Sequence, residues 1–222
     1  MTVRVFIVDD HPLLRRGLAQ LIDMAGDRGL AMAGEASNGA EALARIESLN
    51  PELVVLDLNM PDMNGVEVLQ ALRERGFSAP VVFLTVSDEQ TGFSAALQSG
   101  ANGYLLKQSE PDRLVDDLLR AASGEVVISP LLTSALARAM RSAGCSGPEG
   151  LEGVTPREQD ILGCLGRGLS NKRIARELDI TEATAKVHVR SLLRKMKLRS
   201  RVEAAVWAAR HGMVPDEPDE PD

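Results

Sequence analysis

The stretch Leu53–Pro61, LVVLDLNMP, decides the fold of this chain. Four apolar residues run straight into Asp57, and the chain then turns away through Asn59, Met60 and Pro61. A continuous apolar run bounded by turn residues suits a strand covered on both faces, as in a parallel sheet whose crossovers are helices. In such sheets ligands and chemistry collect just beyond the carboxyl ends of the strands. Asp57 sits at that place.

Working outward, short apolar runs alternate with helix-period stretches five times. The spacing predicts strands at Val3–Val8, Leu30–Ala36, Leu53–Asp57, Pro80–Thr85 and Gly103–Leu106. Between and after them lie predicted helices at Pro12–Met24, Ala40–Leu49, Val66–Arg75, Glu89–Ser99 and Asp112–Ala122. This alternation implies an α/β, doubly wound, flavodoxin-like domain with a five-stranded parallel sheet over residues 1–122.

Polar residues mark the strand ends: Asp9 and Asp10 after the first, Asp57 on the third, Thr85 on the fourth and Lys107 after the fifth. Three carboxylates in one crevice repel one another, so either one is protonated or a hard cation, most naturally Mg2+, neutralises them. An ammonium and a hydroxyl opposite that cation complete a site for a transferred phosphoryl group, with Asp57 the candidate nucleophile. Singly, each residue has a plainer reading: Asp10 caps the helix at Pro12, Thr85 is an ordinary strand residue, Lys107 a surface lysine. Their occurrence at matching strand ends carries the inference.

The net charge of -7 is unevenly spread. Residues 1–153 hold 12 Lys+Arg against 21 Asp+Glu, residues 154–213 hold 13 against 6, and residues 214–222 hold none against 5. A basic block inside an acidic protein points to a polyanionic partner. Cys145 and Cys164 fit neither a disulfide framework nor zinc-ligand spacing, which suits a reducing cytoplasm. No signal-peptide layout is seen, and no apolar run approaches the roughly 18 residues that span a bilayer, so a soluble protein with no membrane partner is expected.

Residues 123–153 read as a connector. SPLLTSALARAMRSA has helical spacing, with Leu131, Leu132, Ala135, Leu136 and Ala139 on one side, and GCSGPEGLEG reads as a flexible tether. Residues 154–213 read as four helices, about 156–166, 171–178, 182–197 and 201–211. Thr155, Ser170, Thr181 and Ser200 are the candidate N-caps, and Thr155 with Glu158 forms a capping box. The second and third helices, joined through Asp179-Ile180-Thr181, form a helix-turn-helix candidate. On the third, Ala185, Val189, Leu192 and Met196 share one sector, while Ala183, Lys186, Val187, Arg190 and Arg194 lie opposite. An apolar Val187 among cations suits a helix in a DNA major groove; the bland alternative is a solvated basic helix. The acidic tail, residues 214–222, is expected to be disordered.

VDDHP, DLNMPDMNG, the isolated Thr85 and GYLLK resemble the receiver domain of two-component response regulators. VTPREQDIL, GLSNKRIARELDI and ATAKVHVRSLLRKMKL resemble the LuxR-type helix-turn-helix. Together they resemble the NarL/FixJ group of regulators, and EASNGAEAL, GEVVISPLLT and KMKLRSRVEAAVW extend the likeness to its nitrate/nitrite-responsive members.

The resemblance implies that Asp57 is the phosphoacceptor. Asp10, Asp57 and the Asn59 carbonyl would hold Mg2+, with Asp9 acting through metal-bound water and Lys107 contacting the phosphoryl group. Thr85 and Tyr104 would be a switch pair. It implies that Lys186, Val187 and Arg190 read the operator, with Arg194 on the same face, and that the last helix, through Val202, Val206 and Trp207, makes the dimer contact on DNA. Gln108 stands where many receivers have proline, and Ala185 where valine is usual.

The expected function is a transcription regulator phosphorylated by a sensor histidine kinase. It would bind a double-stranded DNA operator as a homodimer, with the receiver covering the reading face at rest. Two rivals stay open. An aspartyl-phosphate enzyme would turn over a small phosphoester through Asp57. A phosphorylation-independent DNA-binding regulator would not be labelled by a small phosphodonor.

Overall fold

Eleven elements come before the helical C-terminal part. In a computed structural model that describes residues 2–86, 93–142 and 150–213, they are β1 (Val3–Val8), α1 (Pro12–Met24), β2 (Leu30–Ala36), α2 (Gly39–Leu49), β3 (Leu53–Asp57), α3 (Gly65–Glu74), β4 (Val81–Thr85), α4 (Phe93–Gln98), β5 (Gly103–Leu106), α5 (Pro111–Ala122) and β6 (Val127–Ile128). The strands form one parallel sheet in the order β2-β1-β3-β4-β5-β6. It holds six strands where five were expected. Val127 and Ile128 pair with Gly103 and Tyr104, and Gly103 permits this because a Cβ there would lie 2.3 Å from the Val127 side chain. The part of the predicted α4 before Phe93 lies outside the described residues.

Alternate strand residues serve opposite faces. Val5, Ile7, Val55, Leu84 and Leu105 pack with Leu18 and Ile22 of α1 and Leu114, Val115 and Leu118 of α5. Phe6, Val8, Val54, Leu56 and Phe83 pack on the other face with Ile46 of α2 and Leu69 of α3. Every residue of β3 is buried, as its unbroken apolar run requires.

The connector contributes β6 and then α6 (Pro130–Ser142). Leu132, Ala135, Leu136 and Ala139 are buried as their spacing predicted, but Leu131 is 73% exposed: it stands in the first turn, beyond the packed stripe. Cys145 and the tail lie outside the described residues.

The C-terminal unit comprises α7 (Pro156–Gly166), α8 (Asn171–Glu177), α9 (Glu182–Lys195) and α10 (Arg201–Arg210). Thr155, Ser170, Thr181 and Ser200 each accept a backbone N–H three residues on, satisfying donors that a helix start leaves open. Thr155 and Glu158 close a reciprocal capping box. Asp179 takes a left-handed φ of 51° in the turn between α8 and α9. The core of this unit runs without a break into the α2–α3 face of the sheet, through α6 and α10. No helix among the described residues is long and apolar enough to cross a membrane.

Candidate functional site

Parallel strands deliver their carboxyl ends to one edge, and the polar residues predicted there come together. Lys107, just after β5, places its Nζ 2.7 Å from Asp57 Oδ2 and 2.7 Å from Asp9 Oδ2. The backbone holds the set in register. The Lys107 N–H donates to the Thr85 carbonyl at 2.7 Å, the Asn59 N–H to Asp57 Oδ1 at 3.2 Å, and the His11 N–H to Asp9 Oδ1 at 2.8 Å. Asp9, Asp57 and Thr85 are buried, and Asp10 is partly open. Gly65 is required beneath the site, since a Cβ there would lie 2.3 Å from the Asp57 carbonyl oxygen.

The charges oppose burial. Desolvation pushes the Asp57 carboxyl above its usual range, while the hydrogen bond and charge of Lys107 pull it down and Asp9 adds repulsion. Burial disfavours the Lys107 ammonium, but its bonds to Asp57 and Asp9 outweigh that and raise its pKa overall.

His11 is a member that sequence reasoning missed. Its Nδ1 lies 2.9 Å from Asp10 Oδ1 and 3.3 Å from Asp9 Oδ1. One ligand atom from each of Asp9, Asp10, His11 and Asp57 falls within 4.8 Å of the others. Several carboxylate oxygens against one lysine suit a hard divalent cation such as Mg2+. Its position directly after Asp10 was the available signal. Ser129 was missed as well: from the connector, its buried Oγ accepts the Leu106 N–H at 3.1 Å and steadies the strand leading to Lys107.

Tyr104 is wholly buried, with its ring 5.5 Å from that of Phe83. Burial drives its hydroxyl pKa well up, moderated by a bond to Ser99 and reinforced by the charge of Glu203 on α10. The helical unit therefore lies over the expected switch residue.

On α9, Ala185, Val189, Leu192 and Met196 are buried, and Lys186, Val187, Arg190 and Arg194 are exposed, Val187 to 67%. Asn171 and Arg199, not singled out in sequence, join Lys186, Arg190 and Arg194 in lining an open groove beside this helix. The expectation that the receiver covers this face is not met. What it covers is α10, with Val202, Val206 and Trp207, the expected dimer contacts, all buried within the chain. The physical reason is hydropathy: α10 carries the apolar surface and α9 the charged one.

A sheet ending in a buried acidic site, joined to a helix-turn-helix with an exposed basic face, defines a signalling regulator of DNA. Residues 5–119 match the response regulator receiver domain, and residues 152–208 match the bacterial regulatory proteins of the luxR family. The chain is 51% identical to the nitrate/nitrite response regulator protein NarL of Escherichia coli K12, covering 91% of this chain and 93% of that one. It is 35% identical to the DNA-binding transcriptional activator DevR/DosR of Mycobacterium tuberculosis, covering 93% and 94%. The crystal structure of response regulator ChrA, from a heme-sensing two-component system, matches with a TM-score of 0.53 at 31% identity, covering 96% and 98%. The chain belongs to the NarL/FixJ-type response regulators, transcription regulators that join a receiver to a LuxR-type helix-turn-helix.

Proposed function

We propose that Asp57 accepts a phosphoryl group from a partner sensor histidine kinase, and that the chain regulates transcription as a homodimer on double-stranded operator DNA. The observation that carries this is the buried Asp57 carboxylate with the Lys107 ammonium 2.7 Å away, in a chain whose other end exposes Lys186, Val187, Arg190 and Arg194. In the transfer step a carboxylate oxygen of Asp57 attacks phosphorus. A P–O bond forms, the bond to the donor's imidazole nitrogen breaks, and that nitrogen keeps the electron pair.

Asp10, Asp57 and the Asn59 backbone carbonyl would hold Mg2+ directly and Asp9 through water; the cation would supply neutralising charge to the phosphoryl oxygens. Lys107 turns from the carboxylates to the phosphoryl group, and Thr85, with Tyr104 beyond it, senses the new oxygens. Lys186, Val187 and Arg190 read base edges, with Arg194 on the same face. The chain divides into a receiver over 1–122, a connector over 123–153, a DNA-binding domain over 154–213 and an acidic tail over 214–222. Similarity to NarL supports nitrate or nitrite as the signal, and a double-stranded DNA target supports the cytoplasm as the compartment.

The test is labelling by a small phosphodonor with Mg2+, followed by binding to a pool of duplex sequences. Wild type should label and select an operator; Asp57→Asn should keep its fold and lose the label. Labelling of Asp57→Asn at the parent rate would move the phosphosite elsewhere.

A further inference from the structure

His11 stands at a helix start without serving it. It is the N-cap of α1, yet its side chain makes no capping hydrogen bond, and Pro12 follows it. Serine, threonine, aspartate or asparagine there would satisfy an open helix donor, so helix stability is not what a histidine supplies at this position. Nor is packing, since the side chain is 64% exposed. The backbone places it instead: the His11 N–H donates to Asp9 Oδ1 at 2.8 Å and brings the residue onto the acidic edge. Its Nδ1 then lies 2.9 Å from Asp10 Oδ1, 3.3 Å from Asp9 Oδ1 and 4.0 Å from Asp57 Oδ2.

Two observations make this a ligand arrangement rather than an ordinary ion pair. Asp10 Oδ1 is closed to solvent and accepts no hydrogen bond among the described residues, although Nδ1 is within bonding distance of it. The nitrogen and the oxygen therefore lie side by side instead of pointing at each other. With bonds of about 2.1 Å, neighbouring ligands of a six-coordinate ion stand about 3.0 Å apart and opposite ligands about 4.2 Å apart. The Nδ1 distances to Asp10 and to Asp57 match those two spacings. Lys107 leaves Asp10 to another cation: it ion-pairs Asp9 Oδ2 and Asp57 Oδ2, and no ion pair joins it to Asp10 among the described residues.

We propose that His11 is a ligand of the cation at the acidic edge, bound through Nδ1 beside Asp10 Oδ1, and that it sets which divalent ion the edge prefers. Carboxylate and carbonyl oxygens suit Mg2+, whereas imidazole suits divalent transition ions, with affinity rising from Mn2+ through Co2+ to Ni2+. The nitrogen leaves Mg2+ to Asp10, Asp57 and the Asn59 carbonyl and adds affinity selectively for the transition ions. On binding, Nδ1 gives its lone pair to the ion and the ring proton sits on Nε2. The inference rests on the reading of the acidic edge as a cation site and deepens it.

The experiment uses full-length protein at one fixed pH and compares wild type with His11→Phe, which keeps a ring and removes the nitrogens, and with Asp10→Ala, which keeps the imidazole. Titration calorimetry with Mg2+ alone and with Co2+ alone gives the two affinities. Pulsed electron paramagnetic resonance of bound Mn2+ shows whether a nitrogen is coordinated. His11→Phe should lose at least about tenfold in Co2+ affinity, the scale on which outer partners of a metal site already act, and should hold Mg2+ within about twofold. Asp10→Ala should weaken both ions. Wild type should show nitrogen coupling on Mn2+ and His11→Phe should not. His188 and His211, the other two imidazoles, are present in every form and cancel in the comparison. Three results would overturn the proposal: Co2+ and Mg2+ affinities of His11→Phe that change by the same factor, nitrogen coupling that persists in His11→Phe, or wild type without nitrogen coupling. The last is read on the unmutated chain, so a folding defect in the variant does not decide the matter. If wild type binds neither Mg2+ nor Co2+, the reading of the edge as a cation site fails, and the role of His11 with it.

Discussion

Glu158→Gln isolates the charge that fastens α9 to α7. Glu158 opens α7, accepting the Thr155 N–H and hydroxyl at 2.9 Å each, Ser191 Oγ at 3.1 Å and Lys195 Nζ at 2.7 Å. Ser191 and Lys195 belong to α9, so one carboxylate joins the first turn of α7 to the helix proposed to read DNA. The Lys195 ammonium, with the hydrogen bonds from Thr155 and Ser191 and against the effect of burial, lowers the Glu158 pKa from 4.5 to about 2. Taken in full, that shift corresponds to roughly 3 kcal/mol of stability. Lys195 is partly open to water, and screening reduces the figure to about 1–2 kcal/mol. Because the folded-state pKa is depressed, the stabilisation is fully present above pH 4.5 and is lost as pH falls from there toward 2. Glutamine keeps the shape and the acceptor for the Thr155 N–H but carries no charge at any pH. The chain's single tryptophan, Trp207, lies in this unit, so urea unfolding followed by its fluorescence reports on it. Wild type should exceed the variant by about 1–2 kcal/mol at pH 7, and the gap should narrow steadily between pH 5 and pH 3. A gap of equal size at pH 7 and pH 3 would refute the electrostatic account, leaving only lost neutral hydrogen bonds.

Three further outcomes are expected. Gly65→Ala forces a Cβ against the Asp57 carbonyl; overpacking at about 1–3 kcal/mol should lower the melting temperature and slow phosphoryl labelling together, and a parent-like variant in both would show that the loop yields freely. Asp10→Ala removes an oxygen ligand and should weaken Mg2+ binding measured by titration calorimetry, whereas unchanged affinity would remove Asp10 from the ligand set. Lys186→Ala and Arg190→Ala should each cost about 1–3 kcal/mol in operator affinity with relaxed preference at particular base pairs, and Val187→Ala should mainly weaken discrimination of thymine. Uniform binding of all operator variants by all three would mean that α9 is not the reader.

The acidic site was legible because its signals are local. Each strand announces itself by a short apolar run, and the first polar residue after it must fall at the same sheet edge. The four N-caps were legible for the same reason, a side chain answering a backbone group three residues away. What escaped depends on distance through space. His11 is the exception: it follows Asp9 and Asp10 directly, but the sequence does not say whether its ring turns back onto their carboxylates or out to solvent. β6 is two residues long, too short for any periodicity, and is defined by the Gly103 edge it joins. The Glu125–Arg173 pair spans 48 positions, and nothing near either residue forecasts the other. The resemblance implies α10 only as a dimer contact, and its burial within the chain was not legible because sequence alone does not say which surface, of this chain or another, covers an apolar helix.

The threading of Val127 and Ile128 into the sheet shortens the leash on the DNA-binding unit. A connector of residues 123–153 would let that unit roam widely, yet β6 is stitched to β5 and α6 is packed against the sheet. With α6 held there, 13 residues separate Ser142 from Pro156. Fully stretched they reach about 45 Å. Half-sites one helical turn apart lie about 34 Å from each other. In the proposed homodimer each reading head therefore stays within range of a half-site beside its own receiver, and sites spaced several turns farther apart fall beyond a single pair's grasp.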